Sequence, residues 1–173
     1  MESGAHSSSS PGWLRTLTIG RNPKHTVIRI VVFVVMAFII FKEILLPIQV
    51  VGISMLPTYP DKGIHFINTL AYFRVAPKRG DVVSIRFAGE SVMLLKRIIA
   101  LPGETVAFEN GRVLINGQVL DEPYEKWSCD WDRAPEKLGP DEYFVVGDNR
   151  TMAEVDHTFG KTDRKRIVGK IVL

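Results

Sequence analysis

Residues 105–120 read TVAFENGRVLINGQVL, two short apolar runs each ending in an Asn-Gly step, Asn110-Gly111 and Asn116-Gly117. Both central positions of a tight hairpin turn take positive φ, which Asn and Gly adopt most readily, so the stretch predicts consecutive hairpins. Upstream, Asp81 to Phe87 (DVVSIRF) alternates partly and is rich in Val and Ile. Val92 to Ala100 is a long apolar run interrupted by Lys96-Arg97. Downstream, Glu142 to Val146 and Arg166 to Leu173 read as further short strands. No amphipathic helix of useful length follows residue 50. Short strands with Pro and Gly punctuation predict a mainly β domain over 48–173, a folded antiparallel sheet or barrel-like architecture. There is no internal repeat.

The chain before this domain has a different character. Residues 30–41 read IVVFVVMAFIIF, without a polar residue. Arg29 lies near one end and Lys42 near the other, where long basic side chains snorkel to headgroups. A cleaved signal peptide would end in small residues, whereas Lys-Glu-Ile-Leu-Leu-Pro follows here. The expectation is a single transmembrane anchor over 26–47, with Pro47 at its exit. The net charge is +3. Arg15, Arg21, Lys24 and Arg29 against Glu2 account for all of it, so the remainder is neutral. That split excludes a nucleic-acid partner for the folded part and points to a lipid bilayer. Basic residues ahead of the apolar run place the N-terminus in the cytoplasm. Residues 1–25, Ser/Pro/Gly-rich from Ser7 to Gly12, form a tail, and the β domain lies on the far, extracytoplasmic side of the inner membrane. One cysteine, Cys129, excludes an intrachain disulfide and a multi-Cys zinc site. His6, His25, His65 and His157 lack metal-site spacing, so no metal and no cofactor is expected.

Three short stretches hold residue types that can do chemistry. In ISMLPT, Ser54 is either an ordinary loop serine or a nucleophile. In LLKRII, Lys96 and Arg97 point to opposite faces of a strand, with one or both exposed or one turned inward. Burial lowers a lysine's pKa by desolvation, so that it can be neutral near pH 7 and can then deprotonate a serine. In GDNR, Asp148 and Arg150 are either an ordinary polar turn or an ion pair supporting a site. A Ser54, Asp148, His157 triad is nominally available, and nothing in the spacing favours it.

Together these pieces resemble the type I signal peptidase (leader peptidase) family. SMLPT (Ser54 to Thr58), RGDVVSIRF (Arg79 to Phe87), LLKRIIALPGETV (Leu94 to Val106) and GDNR (Gly147 to Arg150), with Gly160 downstream, are similar to its blocks in order. The resemblance implies a serine endopeptidase in which Ser54 is the nucleophile and Lys96 the general base, acting through an acyl-enzyme on the signal peptides of exported preproteins. The Ser54 backbone N–H would be one oxyanion donor. Gly52, Met55, Leu94 and Leu95 would line the pocket for the small residue before the cut, and Asp148 and Arg150 would support the site. Gly52 stands where many relatives have a hydroxyl donor. Ala153 stands where relatives have the serine that orients the lysine, and Val155 where they have an Asp. These departures leave two alternatives: a weak or inactive relative acting as a membrane-anchored binding subunit, and a dedicated single-substrate (pilin-type) peptidase. Oligomeric state is not legible.

Overall fold

The computed structural model describes residues 23–88, 92–127, 129–153 and 160–172. Most of the expected N-terminal tail, and Val155, Asp156, His157 and Thr158, lie outside the described residues. Two units result, one ending at Lys42 and one running from Glu43 to Leu173.

The first unit holds most of a helix, α1 (Pro23–Ile44), 22 residues long. Its apolar side chains touch little protein: Phe33 is 71% and Phe38 68% exposed. At about 1.5 Å per residue, its uninterrupted apolar run over 30–41 covers roughly 18 Å, against about 30 Å of bilayer hydrocarbon. Among the described residues, no helix is long and apolar enough to cross a membrane. The spanning helix expected over 26–47 is corrected accordingly. Arg29, Lys42 and Glu43 cut the apolar run short. The chain after Ile44 leaves the helix and becomes a strand.

The second unit is β, as the hairpin reading predicts. Strands β1 (Leu45–Gln49), β2 (Ile64–Asn68), β3 (Val82–Ala88), β4 (Val92–Ala100), β9 (Glu142–Val146), β10 (Gly160–Asp163) and β11 (Ile167–Ile171) form one antiparallel sheet. Their order is β1-β2-β11-β3-β4-β9-β10. Strands β5 (Thr105–Glu109), β6 (Arg112–Ile115), β7 (Gln118–Val119) and β8 (Arg133–Lys137) form a second, in the order β7-β6-β5-β8. Both Asn-Gly steps are hairpin turns, with φ of 48° and 77° at Asn110 and Gly111, and 52° and 80° at Asn116 and Gly117. A Cβ at Gly111 would stand 2.0 Å from the Cys129 carbonyl oxygen, so only glycine fits there.

Strands β1, β2, β8 and β10 are not legible in the sequence. LLPIQ contains Pro47, which the sheet tolerates because β1 lies at its edge. RAPEK and GKTD are too polar to read as strands locally, and distant partners supply their pairing.

Strand β4 is buried on both faces, which explains its nearly continuous apolar run. Ile99 packs with Phe144, Val146, Phe108 and Trp131, joining the two sheets. Ile98 packs on the opposite face with Val83, Ile85 and Val145. Leu95 packs with Val82, Ile171, Val50 and Met55, which fastens the segment around residue 54 onto β3 and β4.

Candidate active site

Ser54 sits in a loop tied at its neck. The Val50 N–H donates to the Gly63 carbonyl at 2.9 Å, and the Lys62 N–H to the Val50 carbonyl at 2.7 Å. Gly52 has φ +107°, and its N–H donates to Asp61 Oδ1 at 2.8 Å. Met55 is fully buried in the apolar cluster beneath. Anchoring one neighbour as a hydrophobic plug leaves the next residue, Ser54, half-buried on the rim of a cavity of about 330 Å³. Ser54, Met55, Ser84, Met93, Leu94 and Leu95 contribute to its wall.

Three of the four expected pocket residues, Met55, Leu94 and Leu95, therefore line one cavity with Ser54. Gly52 and Lys96 are not among its lining residues.

Lys96 lies on β4 opposite Val83 and is 2% exposed. Arg97 is 9% exposed, so both basic residues are buried, one on each side of the strand. Exposure of either, open on sequence, does not occur. Among the described residues Lys96 forms no ion pair and no hydrogen bond. Burial pushes its pKa down to about 8, with the Asp148 carboxylate pulling the other way.

The 147–150 turn is the hub that joins these parts. The Asn149 N–H donates to the Ser54 carbonyl at 3.0 Å, and its Nδ2 to the Ile53 carbonyl at 3.0 Å. Asp148 is fully buried. It accepts from Arg97 Nε at 2.8 Å and Nη2 at 2.6 Å, and from the Thr58 hydroxyl at 2.6 Å. The Arg97 guanidinium also lies 4.0 Å above the Tyr124 ring, a cation–π contact. The serine loop and the lysine strand are thus both bound to one turn.

The partners in that turn differ from the Asp148–Arg150 pair considered on sequence. Arg150 is fully buried and pairs with Glu122, while its Nε donates to the Gly147 carbonyl at 3.1 Å. The Tyr124 hydroxyl donates to the same Glu122 carboxylate at 2.7 Å. Geometry explains the exchange: Asp148 faces β4, where Arg97 offers two parallel donors, and a bidentate pair is the stronger one. Sequence reasoning missed Glu122, Tyr124 and the Thr58 hydroxyl. The acidic-aromatic cluster DEPY at 121–124 was the available signal, and it has no meaning until the fold sets it beside the turn.

Ala153 is exposed, whereas Lys96 is buried. The preceding residue is fixed instead, its carbonyl accepting the Trp131 indole N–H at 3.2 Å. Among the described residues, no group of three His, Cys, Asp or Glu side chains could hold a metal ion.

Residues 24–173 match the family described as "Signal peptidase, peptidase S26". Signal peptidase I of Leptolyngbya laminosa is 37% identical over 128 residues, 69% of this chain and 63% of that protein. Signal peptidase I S of Bacillus subtilis (strain 168) is 36% identical over 152 residues, 81% of this chain and 82% of the relative. Signal peptidase IB of Staphylococcus aureus is 31% identical over 163 residues, covering 84% of this chain and 85% of the relative.

Proposed function

The chain belongs to the signal peptidase family, peptidase S26, and we propose that it is a serine endopeptidase that removes signal peptides from exported preproteins with Ser54 and Lys96. The observation that supports the pair best is Lys96 itself: a buried lysine without a counter-ion among the described residues, poised to lose its proton near pH 8. The neutral amine takes the Ser54 hydroxyl proton as Oγ attacks the scissile carbonyl. The Ser54 backbone N–H stabilises the oxyanion. Collapse breaks the C–N bond, the new amine leaves with the proton held on Lys96, and an acyl-enzyme remains. Lys96 then deprotonates a water that hydrolyses the ester. The shared 147–150 turn supports this reading, because it fixes both the serine loop and the lysine strand to one rigid element. Ser54 and Lys96 make no direct hydrogen bond among the described residues, and catalytic hydrogen bonds often close only around substrate.

Membrane attachment belongs to the same proposal. Helix α1 exposes an apolar surface that water does not favour. Arg29 and Lys42 stand 13 residues apart. That is about 20 Å along a helix, and both basic ends reach headgroups while the apolar side chains between them enter the membrane surface.

One preparation tests both parts: the full chain in anionic liposomes, given a preprotein with Ala-x-Ala before the cut. The protein is expected to float with the vesicles. Ser54→Ala and Lys96→Ala should each lower kcat by about a thousandfold or more, and the double variant should be little worse. The wild-type rate should rise with pH through about 8. Retention of a tenth of the activity by either single variant would overturn the dyad. Failure to float would overturn the attachment. A wild type that binds preproteins and cleaves none would favour the binding-subunit alternative.

A further inference from the structure

The 121–124 segment reaches the active site from the second sheet, between β7 and β8. The Glu125 N–H donates to the Glu122 carbonyl at 3.0 Å, closing a turn with Pro123 and Tyr124 at its centre. Tyr124 uses both its hydroxyl and its ring. The hydroxyl donates to Glu122 Oε1 at 2.7 Å, and the Glu122 carboxylate accepts from both terminal nitrogens of Arg150. The ring centre lies 4.0 Å from the Arg97 guanidinium carbon. One side chain thus touches both buried arginine–carboxylate pairs of the site.

The contact with Arg97 is the consequential one. The guanidinium already uses its in-plane donors, Nε and Nη2 on Asp148 and Nη1 on the Gly80 carbonyl. A planar cation satisfied at its rim still meets water through its faces, and Tyr124 covers one of them. We propose that Tyr124 is a positioning residue whose ring clamps Arg97 onto Asp148 and so limits the negative charge that Lys96 meets. The proposal rests on the reading of Lys96 as the base. The effect is electrostatic. On β3 the partner of Lys96 is the apolar Val83, and among the described residues Asp148 is the one charged group that acts on it, favouring the protonated amine. Around Arg97 stand Asp148, Tyr124 and Tyr59. With the ring gone, water reaches the guanidinium face and weakens its attraction for Asp148. Asp148 is left less fully neutralised, which favours the proton on Lys96. Neither tyrosine titrates in the range that matters, since burial raises the pKa of both.

The experiment is the pH dependence of kcat/KM, which reports the base of the free enzyme. The full chain is used in anionic liposomes on an Ala-x-Ala preprotein, as wild type, Tyr124→Phe and Tyr124→Leu. The wild-type rate should rise through about pH 8. Tyr124→Leu removes the ring, and the rise should move up by about 0.5 to 1 pH unit. KM should stay within about twofold of wild type, because Tyr124 is not among the residues lining the cavity. Tyr124→Phe keeps the ring face, and its midpoint should stay within about 0.2 pH unit of wild type. A merely structural tyrosine would lower the unfolding temperature of the variants and leave their midpoints in place. An absent or downward shift in Tyr124→Leu therefore overturns the proposal while leaving the base reading intact. So does an equal shift in Tyr124→Phe, since the hydroxyl and not the ring would then be responsible. A wild-type rate with no rise near pH 8 overturns the reading of Lys96, and this inference with it. Should Tyr124→Leu fail to fold, Tyr124→Met takes its place. Failure of both would make Tyr124 a support of the fold alone and overturns the positioning role.

Discussion

Lys96 and Arg97 are neighbours on one strand, both cationic in water and both buried, yet the protein treats them oppositely. Arg97 has a bidentate carboxylate, a backbone carbonyl and an aromatic ring around it. Arg150, a few residues along the same turn as Asp148, is likewise paired with Glu122. Lys96 has none of these among the described residues. A guanidinium cannot shed its proton in a protein, so burial compels full pairing. An amine can shed its proton, and burial without a partner drives it to do so. The first arrangement makes a rigid turn. The second leaves an amine suited to the base proposed above.

The sharpest way to break this contrast is to unpair Arg97. Asp148→Ala leaves a buried guanidinium without its counter-ion, a change that costs about 3–5 kcal/mol. Thermal or urea unfolding should show that loss, whereas the double replacement Arg97→Met, Asp148→Leu should recover much of it. A loss below about 1 kcal/mol in Asp148→Ala would mean the turn does not depend on the pair. The variant also removes the carboxylate that holds the Lys96 pKa up, so any remaining activity should rise at lower pH than in the wild type.

This contrast also separates what the sequence disclosed from what it did not. The hairpins over 105–120 were legible because an Asn-Gly step dictates its own backbone. Strands β3, β4 and β9 were legible from their runs of Val and Ile. Lys96 stood out as a lysine in an apolar strand, whereas Ser54 read equally as an ordinary loop serine until the family resemblance singled it out. The supporting charges did not. Asp148 looked as well suited to Arg150, two residues away, as to Arg97. Only the approach of β9 to β4 brings Asp148 to Arg97, and only the 121–124 segment brings Glu122 to Arg150. Nor could sequence tell that Ala153 faces outward, because that depends on where Trp131 fastens the backbone. The cavity wall shows the same limit. Leu94 and Leu95 were expected there, and Ser84 arrives from the neighbouring strand by register alone.

A second prediction turns the buried lysine into a stability measurement. The Lys96 pKa is about 8 in the fold, against 10.5 for the unperturbed group. Below about pH 8 both folded and unfolded chains hold the proton, and the fold bears the full cost of burying it. Between the two values the unfolded chain binds more protons, so stability rises with pH. Above 10.5 both states are neutral and the cost is gone. Lys96→Met, of similar length and without charge, should therefore stabilise the protein at pH 7 by on the order of 3 kcal/mol at most. The gain should shrink to near zero by about pH 10.5. Chemical denaturation at the two pH values measures it. A gain that does not depend on pH would show that packing, and not the buried charge, separates the two side chains.

The smallest effect concerns Gly52, because the serine loop is held by backbone geometry where the turn is held by charge. Gly52 has φ +107°, a conformation that L side chains rarely adopt, and a Cβ there would meet no atom within 4 Å. Space is thus available, and strain alone opposes a side chain. The resemblance offers a hydroxyl at this position as a second oxyanion donor, which makes Gly52→Ser attractive on sequence grounds. The geometry predicts otherwise. The substitution should destabilise the fold by roughly 1–3 kcal/mol, the usual cost of an L residue held in such a region. It should also lower kcat modestly, since relief of the strain would shift the loop and loosen the bond from Gly52 N–H to Asp61 that sets it. Gly52→Ala should lose as much stability as Gly52→Ser, because the cost belongs to the Cβ and not to the hydroxyl. Gly52→Ser with a raised kcat and unchanged stability would show that the loop relaxes without penalty. The rigidity ascribed to the serine side of the site would then have to come from the 147–150 turn alone.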